Sequence, residues 1–422
     1  MWALIDCNSF FANVERVFHP GLRHKPVCVL SSNDGIIVAL TPEAKALGLH
    51  RGDAFFKVRD TVEKGGVAVF STNMMLYSAM SQRVTNIIRQ SVDIVENYSI
   101  DESFANLAGY EIHFDIEEYM RSVADRICLW TDIPVSVGVA PTKTLAKIGS
   151  KFAKQYPGYR SVCMIDSDEK RRKALEIFDL SDVWGIGRRS FEKLKSLGVN
   201  TPLEFADKPG DWVRRHFSKP GVETWKELNG YSCIDTSEIL MRQNITTSRS
   251  FGDMITTIEQ VKASVATFAA SCANKLRGQS SAAGCVTVFL CSNFFREDLE
   301  QYYNAETLPF CVPTADTIEI TKTALEIVDR IFKPGIRYKK SGVILGKIVH
   351  QDNVQPDLFD PVQNRTERLD LSQRIDSLNQ KYGLKTVSLG VEGEKQQPWK
   401  VKSEHKSYNY LTDINEILTI RI

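Results

Sequence analysis

The chain has 422 residues, of which 43% are apolar and 25% charged, with a formal net charge of +1. These values exclude a disordered polymer and a single ordinary core, and they announce no global basic field for nucleic acid. Nine cysteines without a C-x-x-C pair and seven histidines without H-x-x-x-H spacing argue against a zinc site or a disulfide framework. No apolar run is long enough to span a bilayer, and the start MWALIDCNSF lacks a signal-peptide pattern, so a reducing cytoplasm is expected.

In chain order, WALIDC reads as a buried strand and PVCVL (26–30) as a second. IIVA (36–39) follows the turn signal SNDG and predicts a short hairpin. Thr41-Pro42 then predicts a helix start, as N-cap and first helical residue, with Gly48 as its stop. Leu76, Met80, Val84 and Ile87 recur at helical spacing, as do Met120, Val123, Ile127 and Trp130. Between these helices, YSIDESF (98–104) alternates like a half-buried strand but carries two adjacent acids, Asp101 and Glu102. Neighbours on a regular strand point to opposite faces, so both acids serve one site only at a strand end or hairpin turn. Either that turn faces water or something positive sits there. PVSVGVA (134–140) reads as a strand. Residues 143–160 hold Lys143, Lys147, Lys151, Lys154 and Arg160 with no acid, which suits a solvated helix face or a phosphate-holding one.

Residues 166–235 are mostly helical, with a WGIG turn at 184–187. A second α/β unit over 242–349 predicts the order β-α-β-β-α-β: strands near 245–251, 285–291, before Pro313 and at 341–349, and helices bearing Val261–Leu276 and Ile318–Phe332. Beyond 350 the chain is polar and loop-like, and its last sixty or so residues have weak periodicity.

Three carboxylates at strand ends, Asp6, Asp101 and Glu102, suit two divalent cations serving phosphoryl transfer, although isolated strand-end acids are commonly just solvated. D-x-N-x-F-F-A-x-x-E at Asp6–Glu15, S-I-D-E at 99–102 and S-V-G-V-A-x-T-K-x-x-A-K at 136–147 occur in that order. Together they resemble the Y-family DNA polymerases, which copy damaged templates. SNDG (32–35), PEAKALG (42–48) and WGIGRR (184–189) are more similar to the UmuC branch of that family. The resemblance runs from residue 1 to about 360 and more loosely to the end.

It implies an α/β (α+β) right-hand architecture. A ferredoxin-like palm and small fingers would fill 1–165, a helical thumb 166–235, a βαββαβ little finger 242–349, and a clamp-binding peptide and tail 350–422. The activity implied is error-prone translesion synthesis in the SOS response. Asp6, Asp101, Glu102 and the carbonyl of Cys7 would hold two Mg²⁺ ions. Phe11 would be the steric gate against the ribose 2′-OH, beside Phe10, which also reads as core packing. Lys45 and Lys154 would hold the dNTP triphosphate, with Thr41 offering a hydroxyl, although an N-cap role alone explains that residue. Pro42 and Leu40 depart from the Tyr and Arg of relatives.

Gly185, Gly187, Arg188 and Arg189 resemble a helix-hairpin-helix on the primer-template backbone, or a Gly-capped turn between packed helices. Arg249 and Ser250 would contact the template strand. Gln355, Leu358 and Phe359 in QPDLFD resemble a bacterial sliding-clamp peptide, unless they fold back on the protein. Residues 361–422 would meet a UmuD′-type subunit and the RecA filament, in a bacterial cytoplasm and at the nucleoid when active. The rivals are a noncatalytic DNA-structure-binding repair protein, a metal-dependent nuclease and, within the family, a DinB-like stand-alone polymerase.

Overall fold

The computed structural model describes residues 1–236, 241–383, 385–393 and 399–418. The chain forms two compact units, Met1–Ile239 with Ser403–Ile422 and Leu240–Lys402.

The strands of the first unit are β1 (Trp2–Cys7), β2 (Val27–Leu30), β3 (Ile37–Leu40), β4 (Ala68–Ser71), β5 (Ile94–Asn97), β6 (Glu102–Asn106), β7 (Val135–Ala140) and β8 (Val162–Met164). One sheet has the order β5-β6-β1-β7-β8 and a second the order β3-β2-β4. β1 is antiparallel to both its neighbours. Its alternate side chains feed two different cores. Ala3, Ile5 and Cys7 pack with the helices Met74–Ser91 and Ile116–Thr131, whereas Leu4 joins the core built on the helix Lys143–Gln155. A strand covered on both faces reads as a continuous apolar run, as WALIDC does.

The predicted hairpin is found, with β2 and β3 antiparallel from Cys28↔Leu40. Thr41 stands at the N-cap of the helix Pro42–Ala46, but its hydroxyl does not cap. It accepts the Val27 N–H at 3.1 Å and is fully buried. The helix Ile116–Thr131 buries Met120, Val123 and Ile127, while Trp130 is 58% exposed. Four residues beyond Ile127 lies Thr131, which continues the buried stripe, and Trp130 falls to its side.

Gly138 and Gly149 govern how closely β7 meets the helix Lys143–Gln155. A Cβ at Gly138 would lie 1.9 Å from the Ala146 carbonyl oxygen and 2.1 Å from the Ser150 nitrogen. One at Gly149 would lie 3.0 Å from the Cys163 carbonyl oxygen and 3.1 Å from the Gly138 Cα. The glycines let helix and sheet backbones touch, and that contact brings the lysines of this helix to the strand ends.

The second unit contains β9 (Ile245–Ile255), β10 (Ser281–Cys291), β11 (Tyr303–Thr314) and β12 (Tyr338–His350), with the helices Ile258–Arg277 and Thr317–Ile331. The predicted β-α-β-β-α-β order stands, and the sheet runs β11-β10-β12-β9 with antiparallel pairs. Both helices pack on the sheet through Val265, Phe268, Leu276, Ile320 and Val328.

A further helix, Arg365–Tyr382, was not legible. Only Ser372 on it is buried. Charge rather than an apolar stripe docks it: Arg365 meets Glu319 at 2.8 Å, Arg368 meets Asp316 at 2.8 Å, and Asp376 receives Arg277 at 2.6 Å. Periodicity of apolar residues does not detect such an attachment.

Candidate active site

The first four residues of YSIDESF form the corner of a hairpin and the last three begin a strand, which puts the two acids at a strand end. β5 ends at Asn97, β6 starts at Glu102, and the amides of Tyr98 and Ser99 both donate to the Glu102 carbonyl. Ser99 organises the corner: its hydroxyl donates to Asp101 Oδ1 at 2.6 Å and accepts the amides of Asp101 (3.3 Å) and Glu102 (3.1 Å). Sequence reasoning gave Ser99 no role, although its place in S-I-D-E marks it as the local acceptor of an ST-type turn.

Asp6 is paired in register with Glu102 on β6, and the Cys7 amide donates to the Asp101 carbonyl at 2.9 Å. The three sequence-predicted acids therefore meet at one end of the sheet. Asn8 follows, its side-chain oxygen accepting the Ser136 hydroxyl at 2.9 Å and its carbonyl the Asn13 amide nitrogen at 2.6 Å, which locks the D-x-N segment.

Burial pushes the Asp6 carboxyl above its ordinary range, Lys154 opposes that shift, and the charges of Glu102 and Asp101 add to it. Raised folded-state pKa means that folding disfavours the charged form. Asp6 therefore subtracts stability as pH rises above its unfolded value near 3.8 and through its folded pKa, and continues to do so at neutral pH. Asp6→Asn is expected to match or exceed the wild-type Tm at pH 7, by up to about 4 °C, with the difference closing below about pH 4. Thermal melts across pH test this.

The lysine run is neither a bare solvated face nor a free one. Lys154 Nζ lies 3.0 Å from Asp6 Oδ1 and Lys147 Nζ 2.8 Å from Glu102 Oε1. Lys143 is buried against Glu96, 4.3 Å from the centroid of the Trp2 ring, and Lys151 pairs with Asp182. Lys147 is a site residue that sequence reasoning missed as an individual, although the i, i+4 spacing from Lys143 signals it.

Among the described residues, no group of three or more His, Cys, Asp or Glu side chains is gathered closely enough to form a metal cage. The donor chemistry nevertheless fits a hard divalent cation: three carboxylates stand at joined strand ends, and the charges of Glu102 and Asp101 raise the proton affinity of Asp6. Mg²⁺ binds through one or two carboxylates, waters and substrate phosphates rather than a closed protein cage. The Cys7 side chain is 4% exposed and burial holds its thiol protonated, which leaves the backbone carbonyl as its available donor.

Phe10 is 3% exposed and belongs to the core. Phe11 is half-buried and stacks on Tyr77 at 4.5 Å and 18°. Lys45 is exposed on the helix Pro42–Ala46, and Thr41 turns inward as described. At the WGIG turn, Gly185 has φ +92° and a Cβ there would lie 2.1 Å from Thr224 Oγ1, so glycine is required. Gly187 is the N-cap of the helix Arg188–Ser196, with Arg188 and Arg189 exposed in its first turn. In the second unit, Arg249 and Ser250 are exposed on the edge strand β9. Gln355 is exposed, and Leu358 and Phe359 are 94% and 84% exposed, so these three side chains are not buried in their own unit.

A Y-family DNA polymerase chimera superposes with a TM-score of 0.65 over 82% of this chain and 99% of that chain at 22% identity, and an insertion ternary complex of Dbh DNA polymerase with 0.52 over the same shares at 20% identity. The fold is that of the Y-family DNA polymerases. Residues 5–151 match the model of the impB/mucB/samB family, 242–358 that of its C-terminal domain, and 370–420 a domain of unknown function. The chain is 36% identical to protein UmuC of Salmonella typhimurium (strain LT2) and 37% to protein ImpB of Salmonella typhimurium, over 100% of both chains in each case. DNA polymerase IV of Dehalococcoides mccartyi is 27% identical over 92% of this chain and 96% of its own length. The chain belongs to the impB/mucB/samB family of Y-family translesion DNA polymerases. No helix among the described residues is long and apolar enough to cross a membrane.

Proposed function

We propose that the chain is an error-prone, template-directed DNA polymerase that carries synthesis past lesions during the SOS response. The meeting of Asp6, Asp101 and Glu102 at one sheet end, with Lys154 against Asp6, carries this reading. The primer 3′-oxygen attacks the α-phosphorus of a dNTP in line, the bond to the bridging oxygen breaks, and pyrophosphate leaves. Two Mg²⁺ ions held by Asp6, Asp101, Glu102 and the Cys7 carbonyl would supply the charge that steadies the attacking and leaving oxygens. Lys154, now on Asp6, and exposed Lys45 hold the triphosphate as point charges. Phe11 excludes the ribose 2′-OH by a clash and by leaving that hydroxyl without a partner.

Residues 1–165 act as palm and fingers, 166–235 as thumb and 242–349 as little finger. Amides at Gly185 and Gly187 with Arg188 and Arg189 hold primer-template phosphates, and Arg249 and Ser250 hold the template backbone. Exposed Leu358 and Phe359, with Gln355, engage the bacterial sliding clamp. The double substitution Leu358→Ala, Phe359→Ala is expected to weaken clamp binding at least about tenfold, since buried apolar anchors dominate such interfaces. Clamp-free extension stays unchanged. The tail from 361 serves a UmuD′-type subunit and the RecA filament, and the protein works in the cytoplasm at the nucleoid.

Single-nucleotide addition with Mg²⁺ on four primer-templates differing in the next template base tests the reading. Each template should direct its complementary dNTP. Bound DNA with no addition, or a shortened primer, would replace it with a binding protein or a nuclease.

A further inference from the structure

The last described segment of the chain returns to the first unit and ties itself to the residues behind Phe11. Ser71 at the end of β4 donates its amide to the His405 carbonyl at 3.0 Å, and His405 returns its own amide to the Ser71 hydroxyl at 2.9 Å. The parallel bridge Ser71↔Lys406 completes a stub of strand on that edge. Asn73, the side-chain N-cap of the helix Met74–Ser91, donates its Nδ2 to the Ser407 carbonyl (3.0 Å) and hydroxyl (3.2 Å). Tyr410 then stacks on Phe18 at 4.8 Å and 15°, and its hydroxyl lies 3.3 Å from His19 Nε2. The segment is thus fastened both to the small sheet and to the helix Phe10–Phe18, which carries Phe11.

Its innermost contact is a carboxylate. Ser407 donates its hydroxyl to Glu15 Oε1 at 3.0 Å, and Tyr77 donates its own hydroxyl to the same oxygen at 2.6 Å. Glu15 and Tyr77 are both fully buried, and Glu15 Oε2 finds no partner among the described residues. Two hydroxyls, from Ser407 and Tyr77, therefore converge on one oxygen of that carboxylate and orient it. Tyr77 in turn presents its ring face to Phe11, 4.5 Å away. The contacts run unbroken from Ser407 through Glu15 and Tyr77 to Phe11.

We propose that the 403–418 segment is a positioning strap for the sugar-selecting ring: Ser407, acting through Glu15 and Tyr77, sets the place of Phe11 and thereby the discrimination between deoxyribo- and ribonucleotides. This rests on the reading of Phe11 as the steric gate. Packing alone keeps a ring near its place, but exclusion of one hydroxyl demands that it stay within a fraction of an ångström. A buried carboxylate oxygen shared by two donors supplies that fixity, because every displacement of Tyr77 strips a hydrogen bond from a group water cannot reach. Ser407, Glu15 and Tyr77 are positioning residues and touch no substrate.

The test measures kcat/KM for a matched dNTP and its ribonucleotide in the full-length chain and in Phe11→Ala, Tyr77→Phe, Ser407→Ala and Ser407→Thr. Tyr77→Phe keeps the ring and removes only the hydroxyl. Both Tyr77→Phe and Ser407→Ala are expected to lower the dNTP preference by about three- to tenfold, the value of one hydrogen bond, with dNTP use within about twofold of wild type. Ser407→Thr, which keeps the hydroxyl, should retain the preference. If Phe11→Ala relaxes the preference and the other two leave it unchanged, the strap has no part in selection and the proposal falls. If Phe11→Ala itself leaves the preference unchanged, the gate reading fails instead. Should Tyr77→Phe not fold, the Ser407 pair decides alone: equal preference in Ala and Thr variants overturns the proposal.

Discussion

Asp101→Asn is expected to lower single-turnover incorporation of a matched dNTP by about 10³-fold or more, with DNA binding and the circular dichroism spectrum retained. Asp101 sits on the hairpin corner, its amide and one carboxylate oxygen bonded to Ser99, so the backbone geometry there owes little to the negative charge. Asparagine is nearly isosteric and accepts the Ser99 hydroxyl equally well. The charge is lost from the group that would hold a catalytic cation. Cation stabilisation of developing phosphoryl charge is worth several kcal/mol, and about 4 kcal/mol corresponds to roughly 10³ in rate. A variant within tenfold of wild type would remove Asp101 from the catalytic centre.

Gly138→Ala carries the second large effect, on stability. The new methyl would lie 1.9 Å from a backbone oxygen and 2.1 Å from a backbone nitrogen of the helix Lys143–Gln155. Neither atom is the end of a flexible side chain, so the helix itself must move off β7. Overpacking of this kind costs about 3 kcal/mol, at the upper end for single substitutions. Displacement of that helix also carries Lys147 and Lys154 away from Glu102 and Asp6. Urea denaturation should register the loss in the midpoint, and activity should fall even below the unfolding range. A midpoint equal to wild type would mean that the helix–sheet contact is looser than described.

Much of this was legible because the chain obeys simple periods where apolar burial decides structure. The second unit's β-α-β-β-α-β order follows from alternating and helical stripes that the core then buries. Asp6, Asp101 and Glu102 stand out in the sequence as strand-end acids, and β1 and β6 do bring Asp6 and Glu102 opposite each other. What escaped notice depends on polar or long-range contacts. The helix Arg365–Tyr382 hangs on ion pairs to residues up to 99 positions away, and no local pattern encodes them. Ser407 lies 392 positions from Glu15, which it holds, and nothing in SYNYLTD announces a buried carboxylate as its partner. Thr41-Pro42 predicts a capping hydroxyl, but that hydroxyl accepts the Val27 amide of the close β2 strand instead. Trp130 fits the helical count, yet the stripe passes to the smaller Thr131.

Extension of a primer past an abasic template site, by the full-length chain with Mg²⁺, sliding clamp and a UmuD′-type partner, is the most direct measurement. The account expects addition opposite and beyond the lesion, no shortening of the primer, and loss of both products in Asp101→Asn. The complete assembly binding primer-template yet adding no nucleotide, on damaged or intact template, would contradict it and leave a noncatalytic DNA-binding protein on a polymerase fold.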